Sequence, residues 1–407
     1  MSRVVKDEPM RRCEERDGAE EDQGAAVKKG WKTTPFEECI EKMTYTQKIQ
    51  RKDFLDNGAY PVVSQEEDFI NGYWDNEADL FKVTTPIVVF GDHTKVLKYI
   101  DFDFVLGADG VKILQPKKFL LPKFFFYQLQ TANLKSLGYA RHYKLLKELV
   151  ITHPPLPEQQ RIVAILDEAF DGIATAKANA EKNLQNARAL FESHLQSVFT
   201  QDSKGWEQKT LKQIATTFGR GKSKHRPRNE KKLYGGKYPF IQTGDIRNAS
   251  HYITEYSQTY SEAGLAQSKL WPKGTICITI AANIAETGIL GFDACFPDSV
   301  IGVVANPKEA GVGFVEYLLQ SFKVRLQSKG KGSAQANINL GTFENLRFPF
   351  PSVTEQKQIV TKLDTLRAET QRLESIFQRK LAALDEFKKS LLNQAFTGGI
   401  VARPLQK

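Results

Sequence analysis

The sequence is poor in the residues that mark several protein classes. Its 407 residues include four cysteines, Cys13, Cys39, Cys277 and Cys295. None belongs to a C-x-x-C pair and no H-x₃₋₅-H accompanies them, so neither a zinc site nor a disulfide framework is indicated. Long hydrophobic runs are missing too. The longest apolar stretch, Thr275 to Phe292, is broken by Asn283 and Glu286 and falls short of the ~18 residues a membrane helix needs. Met1–Gly30 mixes charges without an apolar core, so no secretory leader is read there and a cytoplasmic protein is expected.

Catalytic signatures are equally scarce. Gly221-Lys222-Ser223 looks like the end of a phosphate-binding loop, but G-x-x-x-x-G-K-[ST] requires glycine where Thr216 stands. No G-x-G-x-x-G opens a helix, and Asn306-Pro307-Lys308 lacks the second proline and the aromatic of N-P-P-[YF]. Glu355-x-Lys357 and Glu386-x-Lys388 have the form of nuclease triplets, yet both lie in helical stretches where Glu and Lys are ordinary solvated residues. The six histidines form no H-E-x-x-H. No catalytic residue, no metal site and no cofactor are expected in this chain.

What is present is a repeat. Shifted by 197 positions, residues 149–200 fall on 346–397 without a gap, with 13 identities. Both copies contain P-x₃-E-Q-x₂-I-V-x₂-L-D, at Pro154–Asp167 and Pro351–Asp364. Prolines punctuate each entry, since the residue before proline is pushed away from helix. Beyond them apolar residues recur at alternating steps of three and four, a heptad seam. The first stripe is Ile162, Leu166, Ala169, Ile173, Ala176, Ala180, Leu184, Ala187, Phe191 and Leu195. The second is Ile359, Leu363, Leu366, Thr370, Leu373, Phe377, Leu381, Leu384, Leu391 and Ala395. Both take an extra step of four at Leu184 and Leu381. Two stripes with matched irregularities are expected to pack on each other as antiparallel helices, over about 157–199 and 354–396. The seam and any helix partner would use Glu158, Gln159, Ile162, Leu166, Leu184, Glu355, Gln356, Ile359, Leu363 and Leu381. Two amphipathic helices lying on separate domains is the plainer alternative.

The segments before each helix have similar size but scarcely match. Short β-rich runs such as Pro86–Phe90 and Thr275–Thr279 precede aromatic helix candidates at Phe124–Gln130 and Phe314–Phe322. This pattern indicates an α+β fold with two globular domains and a pseudo-two-fold repeat. The expected organisation is a charged, disordered extension over 1–29, a globule over 30–150 and a helix over 151–204. A second globule over 205–347 and a second helix with tail over 348–407 complete it.

The 57 Lys and Arg exceed the 48 Asp and Glu by nine; where they cluster says more than the total. The run 219–232 carries seven basic residues against one acid, and its Gly and Pro make it a loop. Arg220, Lys222, Lys224, His225, Arg226 and Arg228 are therefore candidates for phosphate and guanine contacts, although a solvated charge run would read the same. In 328–339, Lys329, Lys331, Gln335, Asn337 and Asn339 offer cations and adenine-type amides, or are simply turn formers. In the first globule the candidates are His93, Thr94 and Lys95 after a strand, and Arg141, His142, Tyr143 and Lys144. His93 could equally be a loop-packing histidine.

These residues resemble the specificity subunit of type I restriction-modification systems, over nearly everything after Gly30. Pro155–Asp167 looks like that family's central repeat and Pro351–Asp364 like its C-terminal one. Tyr238–Ile246 and Phe90–Thr94 are similar to its target recognition domains. The resemblance implies a non-catalytic subunit whose two globules each read half of an asymmetric, split site in double-stranded DNA. It implies that the helices are a spacer and a dock for two methyltransferase subunits, with a restriction and translocase subunit joining the complex. S-adenosylmethionine, ATP and magnesium would then belong to those partners. An enzyme that itself methylates or cuts DNA, a non-specific DNA binder and a scaffold that binds only protein are the alternatives, and no membrane is involved in any of them.

Overall fold

The computed structural model describes residues 30–397 except 109, 139, 201–204, 282–283 and 332–338. The expected extension over 1–29 lies outside the described residues. The chain divides into two compact units. One runs to Ala176 and takes up Ala382 onward; the other is Lys177–Leu381.

In the first unit, entry and exit of the globule are sewn together. Strand Lys32–Pro35 pairs antiparallel with Val150–His153, with Lys32 opposite His153. Between them lie a three-stranded sheet, Leu97–Ile100, Ile87–Gly91 and Val111–Leu114, and a second sheet built around Phe104–Gly107. The central run Ile87-Val88-Val89-Phe90 is buried at every position, which is why it reads as a continuous apolar strand rather than an alternating one. Helix Pro122–Thr131 starts with its proline in the first turn, where no amide is missed, and buries Phe124, Phe125, Tyr127 and Leu129. These join Phe36, Val88, Phe90 and Leu114 in one core, which also contains Ile162, Val163, Leu166, Leu392 and Ala395.

The second unit repeats this plan with other sequence. Glu207–Thr210 pairs antiparallel with Arg347–Phe350. A five-stranded sheet runs Ala215–Arg220, Val300–Ala305, Ile276–Thr279, Thr287–Leu290, Tyr252–Ile253. A four-stranded sheet includes Tyr234–Phe240. Helix Val312–Lys331 buries Phe314, Val315, Tyr317, Leu318 and Leu319. Its core contains Leu195, Val198, Phe199 and Leu363.

The two long helices are Leu156–Thr200 and Val353–Thr397, 45 residues each, or ~68 Å of rise. Helices this long are held by burial of one face rather than by propensity. The first stripe is the inner face: Ile162, Leu166, Ile173, Ala180, Ala187 and Leu195 are buried. Leu184 is half-buried. On the second helix Leu363, Thr370 and Ala395 are buried, and Ile359 and Leu381 half-buried. Leu373 departs from the expected seam, being 38% exposed. Its neighbour Glu374 is half-buried instead and pairs with Arg188 at 3.0 Å, because ~3.6 residues per turn does not divide seven and a strict ~3.5-residue stripe slips round the helix.

The Gln and Asp of the repeated motif have a structural task that the seam assignment missed. Gln159 is fully buried. Its Oε1 accepts from Leu121 N at 2.7 Å, and its Nε2 donates to the carbonyls of Phe119 and Pro154, both at 2.9 Å. Gln356 makes the matching set: Oε1 accepts from Gly311 N at 2.9 Å, and Nε2 donates to Glu309 and Pro351 at 3.1 and 3.0 Å. Asp167 accepts from the Tyr127 hydroxyl at 2.5 Å and from Lys123 at 2.7 Å. Asp364 accepts from the Tyr317 hydroxyl at 2.6 Å. Each long helix is thus clasped to its own globule by one Gln and one Asp, two turns apart. Gln159 and Gln356 are consumed internally and are not surface contacts for a partner, since all their polar atoms are already bonded inside.

Replacing either glutamine by alanine strands buried donors and acceptors, at about 1–3 kcal/mol for each group left unpaired. Denaturant unfolding of Gln159→Ala and Gln356→Ala should show losses of that order. Unchanged midpoints would show the clasps to be incidental.

Candidate nucleic-acid interface

Two segments singled out in the first globule meet in space, and the group that joins them is Asp92. It is 2% exposed. Its carbonyl accepts from His142 N at 2.7 Å, and its Oδ1 accepts from Tyr143 N at 2.7 Å. His142 is buried. Its Nε2 accepts from Leu137 N at 3.0 Å, which leaves Nδ1 to donate to the Asp92 carbonyl at 3.0 Å. That fixes the neutral Nδ1–H tautomer. His142 is therefore a hinge pin of the loop, correcting its assignment as a DNA contact. Tyr143 is half-buried, packs against Phe36 and Phe90 and carries Lys112 and Lys147 against its ring.

The turn 91–95 is likewise turned to its own support. Gln65 accepts from His93 N through Oε1 at 3.1 Å, and its carbonyl accepts the Thr94 hydroxyl at 2.5 Å. Lys95, with a left-handed φ of 63°, donates to the Leu134 carbonyl at 3.3 Å. Thr94 and Lys95 shape the turn rather than reach outward. The cations left exposed here are Arg141 and Lys144, and the His93 ring is half-buried.

The loop that supplies Gln65 rests on a buried lysine. Lys98, 3% exposed, donates to the Asp68 carbonyl at 2.5 Å and to Asn71 Oδ1 at 3.0 Å. Asn71 Oδ1 also accepts from Ser64 N at 2.8 Å. Burial pulls the Lys98 ammonium down from an ordinary 10.5 to about 8, against the opposing pull of Glu66 and Asp68.

In the second globule the basic loop is anchored along its length, which a merely solvated charge run would not be. Lys222 N donates to the Phe296 carbonyl at 3.1 Å, and the Ser268 hydroxyl to the Lys222 carbonyl at 2.8 Å. His225 N donates to Gln267 Oε1 at 3.0 Å, and Tyr234 to the Arg228 carbonyl at 2.7 Å. Gly221 is required where the loop begins, because a Cβ would stand 2.2 Å from the Phe296 carbonyl oxygen. The side chains divide into two sets. Arg226 donates to the carbonyls of Ser223 and His225 at 2.7 and 2.8 Å, and His225 pairs with Glu230. Arg228 and Arg220 converge on Asp298. Lys222 and Lys224 are exposed. His225 and Arg226 thus shape the loop, while Lys222 and Lys224 lie exposed on it.

The last candidate segment is not a continuous loop. Ser328–Lys331 close the helix Val312–Lys331, whose side chains there lie outside the described set, as do Gln335 and Asn337. Asn339 caps the helix Leu340–Asn345, its Oδ1 accepting from Thr342 N at 3.1 Å, so the turn-former reading applies to it. The remaining seam residues are placed as follows: Glu158 pairs with Arg161 at 2.6 Å and Glu355 accepts from Trp206 Nε1 at 3.2 Å. Among the described residues no group of His, Cys, Asp and Glu is placed to hold a metal. No described helix is long and apolar enough to cross a membrane.

The family described as the type I restriction modification DNA specificity domain matches residues 28–185 and again 203–380, most of the chain. The chain belongs to the type I restriction-modification specificity family. It is similar to the Escherichia coli EcoR124I/EcoR124II specificity subunit, 25% identical over 78% of this chain and 81% of that one. A putative MjaX specificity subunit of Methanocaldococcus jannaschii is 23% identical over 73% of each. The fold matches a chain of a type I R-M system solved to explain complex assembly and conformational transition, with TM-score 0.70 and 17% identity over 92% and 99% of the two chains. The HsdS subunit from Thermoanaerobacter tengcongensis follows at TM-score 0.55 and 17% identity, over 92% and 98%. A specificity subunit is the non-catalytic, DNA-recognising component of its enzyme, in keeping with two matches to the same domain in one chain.

Residues that sequence reading passed over are Asp92, Gln65, Lys98, Gln267 and Asp298. Asp92 lies within the Phe90–Thr94 segment without having been given a role, the others belong to no motif, and each acts through a partner 27 to 78 positions away.

The Lys98 shift fixes a pH dependence. Between about pH 8 and 10.5 the unfolded chain keeps a proton that the folded chain has released, so stability rises with pH across that window. Denaturant unfolding of wild type and Lys98→Met over pH 7.5–10.5 should show wild type gaining relative to the variant. Parallel curves would contradict the burial of that charge.

Proposed function

We propose that each globule of this specificity subunit reads one half of an asymmetric split site in duplex DNA. The long helices pair as an antiparallel coiled coil that sets the spacing and docks two methyltransferase subunits. A restriction and translocase subunit joins through them, in the cytoplasm, and S-adenosylmethionine, ATP and magnesium are handled by those partners. The observation that carries this reading is the clasp built twice, Gln159 with Asp167 and Gln356 with Asp364, on two globules of unlike sequence. A duplicated mount holding different heads suits two readers of different half-sites. With both heads on one face of the duplex, half-site centres fall about one helical turn, ~34–36 Å, apart. The residues assigned to DNA are His93, Arg141 and Lys144 in the first head, and Arg220, Lys222, Lys224 and Arg228 in the second.

The test is charge removal head by head in the complex with its methyltransferase partners. Arg141→Ala with Lys144→Ala should weaken DNA binding and flatten the salt dependence, the slope falling by about 0.9 for each phosphate no longer neutralised. Lys222→Ala with Lys224→Ala should do the same through the other head. Exchanging residues 205–347 for the corresponding domain of a relative should alter one half-site alone. A swap that changes both halves together would refute two independent readers, and binding without sequence preference would favour a plain DNA scaffold.

A further inference from the structure

The two arginines best suited to guanine in the second head both end on one acid, Asp298. Arg228 Nη2 donates to both carboxylate oxygens at 2.9 Å, while Arg220 Nε donates to the Asp298 carbonyl at 2.6 Å. Asp298 sits in a stiff turn. Gly221 N donates to the Val300 carbonyl at 2.9 Å, and Val300 N to the Pro297 carbonyl at 3.0 Å. The Arg228 and Asp298 side chains are 48% and 38% exposed, and an ion pair that open contributes little to stability.

We propose that Asp298 is a positioning residue for sequence reading. It holds one amino nitrogen of Arg228 and presents the rest of the fork to a guanine edge, with Arg220 aligned beside it. This rests on the second globule being a DNA reader. A guanidinium has five donors, and the Asp298 carboxylate engages a single nitrogen of Arg228. The remaining N–H groups can meet guanine O6 and N7, the commonest specific pairing in the major groove. Pre-orienting the fork removes rotamer entropy from the binding step. A carboxylate at this place also repels phosphates, so it weakens binding to any sequence while sharpening the choice of one.

The experiment uses the chain assembled with its methyltransferase subunits and a pool of random duplexes, from which the wild-type complex selects its target. Single base-pair substitutions through both half-sites are then scored for wild type, Asp298→Asn, Asp298→Glu, Arg228→Ala and the Asp298→Asn/Arg228→Ala double variant. Asp298→Asn should lose about tenfold discrimination at one or two guanine positions of the second half-site. It should bind unselected DNA more tightly and leave the first half-site untouched. Asp298→Glu, which keeps the charge, should fall between. The double variant should lose no more than Arg228→Ala alone, which separates positioning from a general structural role. Full discrimination in Asp298→Asn, or an equal loss at both half-sites, overturns the proposal while the two-reader function stands. A wild-type complex that selects no two-part target overturns that function and this proposal with it.

Discussion

The structure depends on a buried glutamine that leaves none of its amide unpaired. Gln159 and Gln356 each accept from one backbone amide and donate to two carbonyls at the start of a long helix. Burying an amide without partners is costly, and burying it with all of them met fixes a geometry. Two turns further on, an aspartate takes the hydroxyl of a tyrosine from the globule's own helix. Together they convert an amphipathic helix, free to roll on an apolar surface, into a mount with one orientation. Because the glutamine bonds go to backbone at corresponding places, the globule's sequence can change without changing the mount.

That freedom is visible in the heads. The first presents Arg141 and Lys144 from a loop pinned by Asp92 and His142. The second presents Lys222 and Lys224 from a loop pinned by Gln267, Ser268 and the Phe296 carbonyl. The two surfaces are built from unrelated segments, yet both divide their polar groups in the same way. Some arginines, histidines and amides are spent on holding a loop still, and a few cations remain exposed at its surface. Recognition built on a rigid loop loses less entropy on binding than recognition by a loose basic tail.

Much of the fold was legible because it is carried by local periodicity. The heptad stripes located both long helices to within a residue or two at each end, Leu156–Thr200 and Val353–Thr397. The apolar run Ile87–Phe90 and the aromatic cluster around Phe124 gave a strand and a helix for the same reason. Leu373 escaped, because a strict seven-residue count ignores the mismatch between ~3.5 and ~3.6 residues per turn. The candidate interface was legible by segment but not by role. Composition says that 219–232 is basic; it does not say that Arg226 turns back to Ser223 while Lys224 faces out. That choice is made by partners such as Asp298, 70 residues along the chain from Arg228.

The most direct test of two independent readers is the target itself. Single-base mapping of the sites methylated by the complete complex, in DNA carrying no prior modification, reads both heads in one experiment. Two heads of unlike sequence predict one asymmetric sequence in two parts, with fixed bases at either end and a run of unread positions of constant length between them. A continuous palindrome, or methylation without a fixed gap, would contradict it.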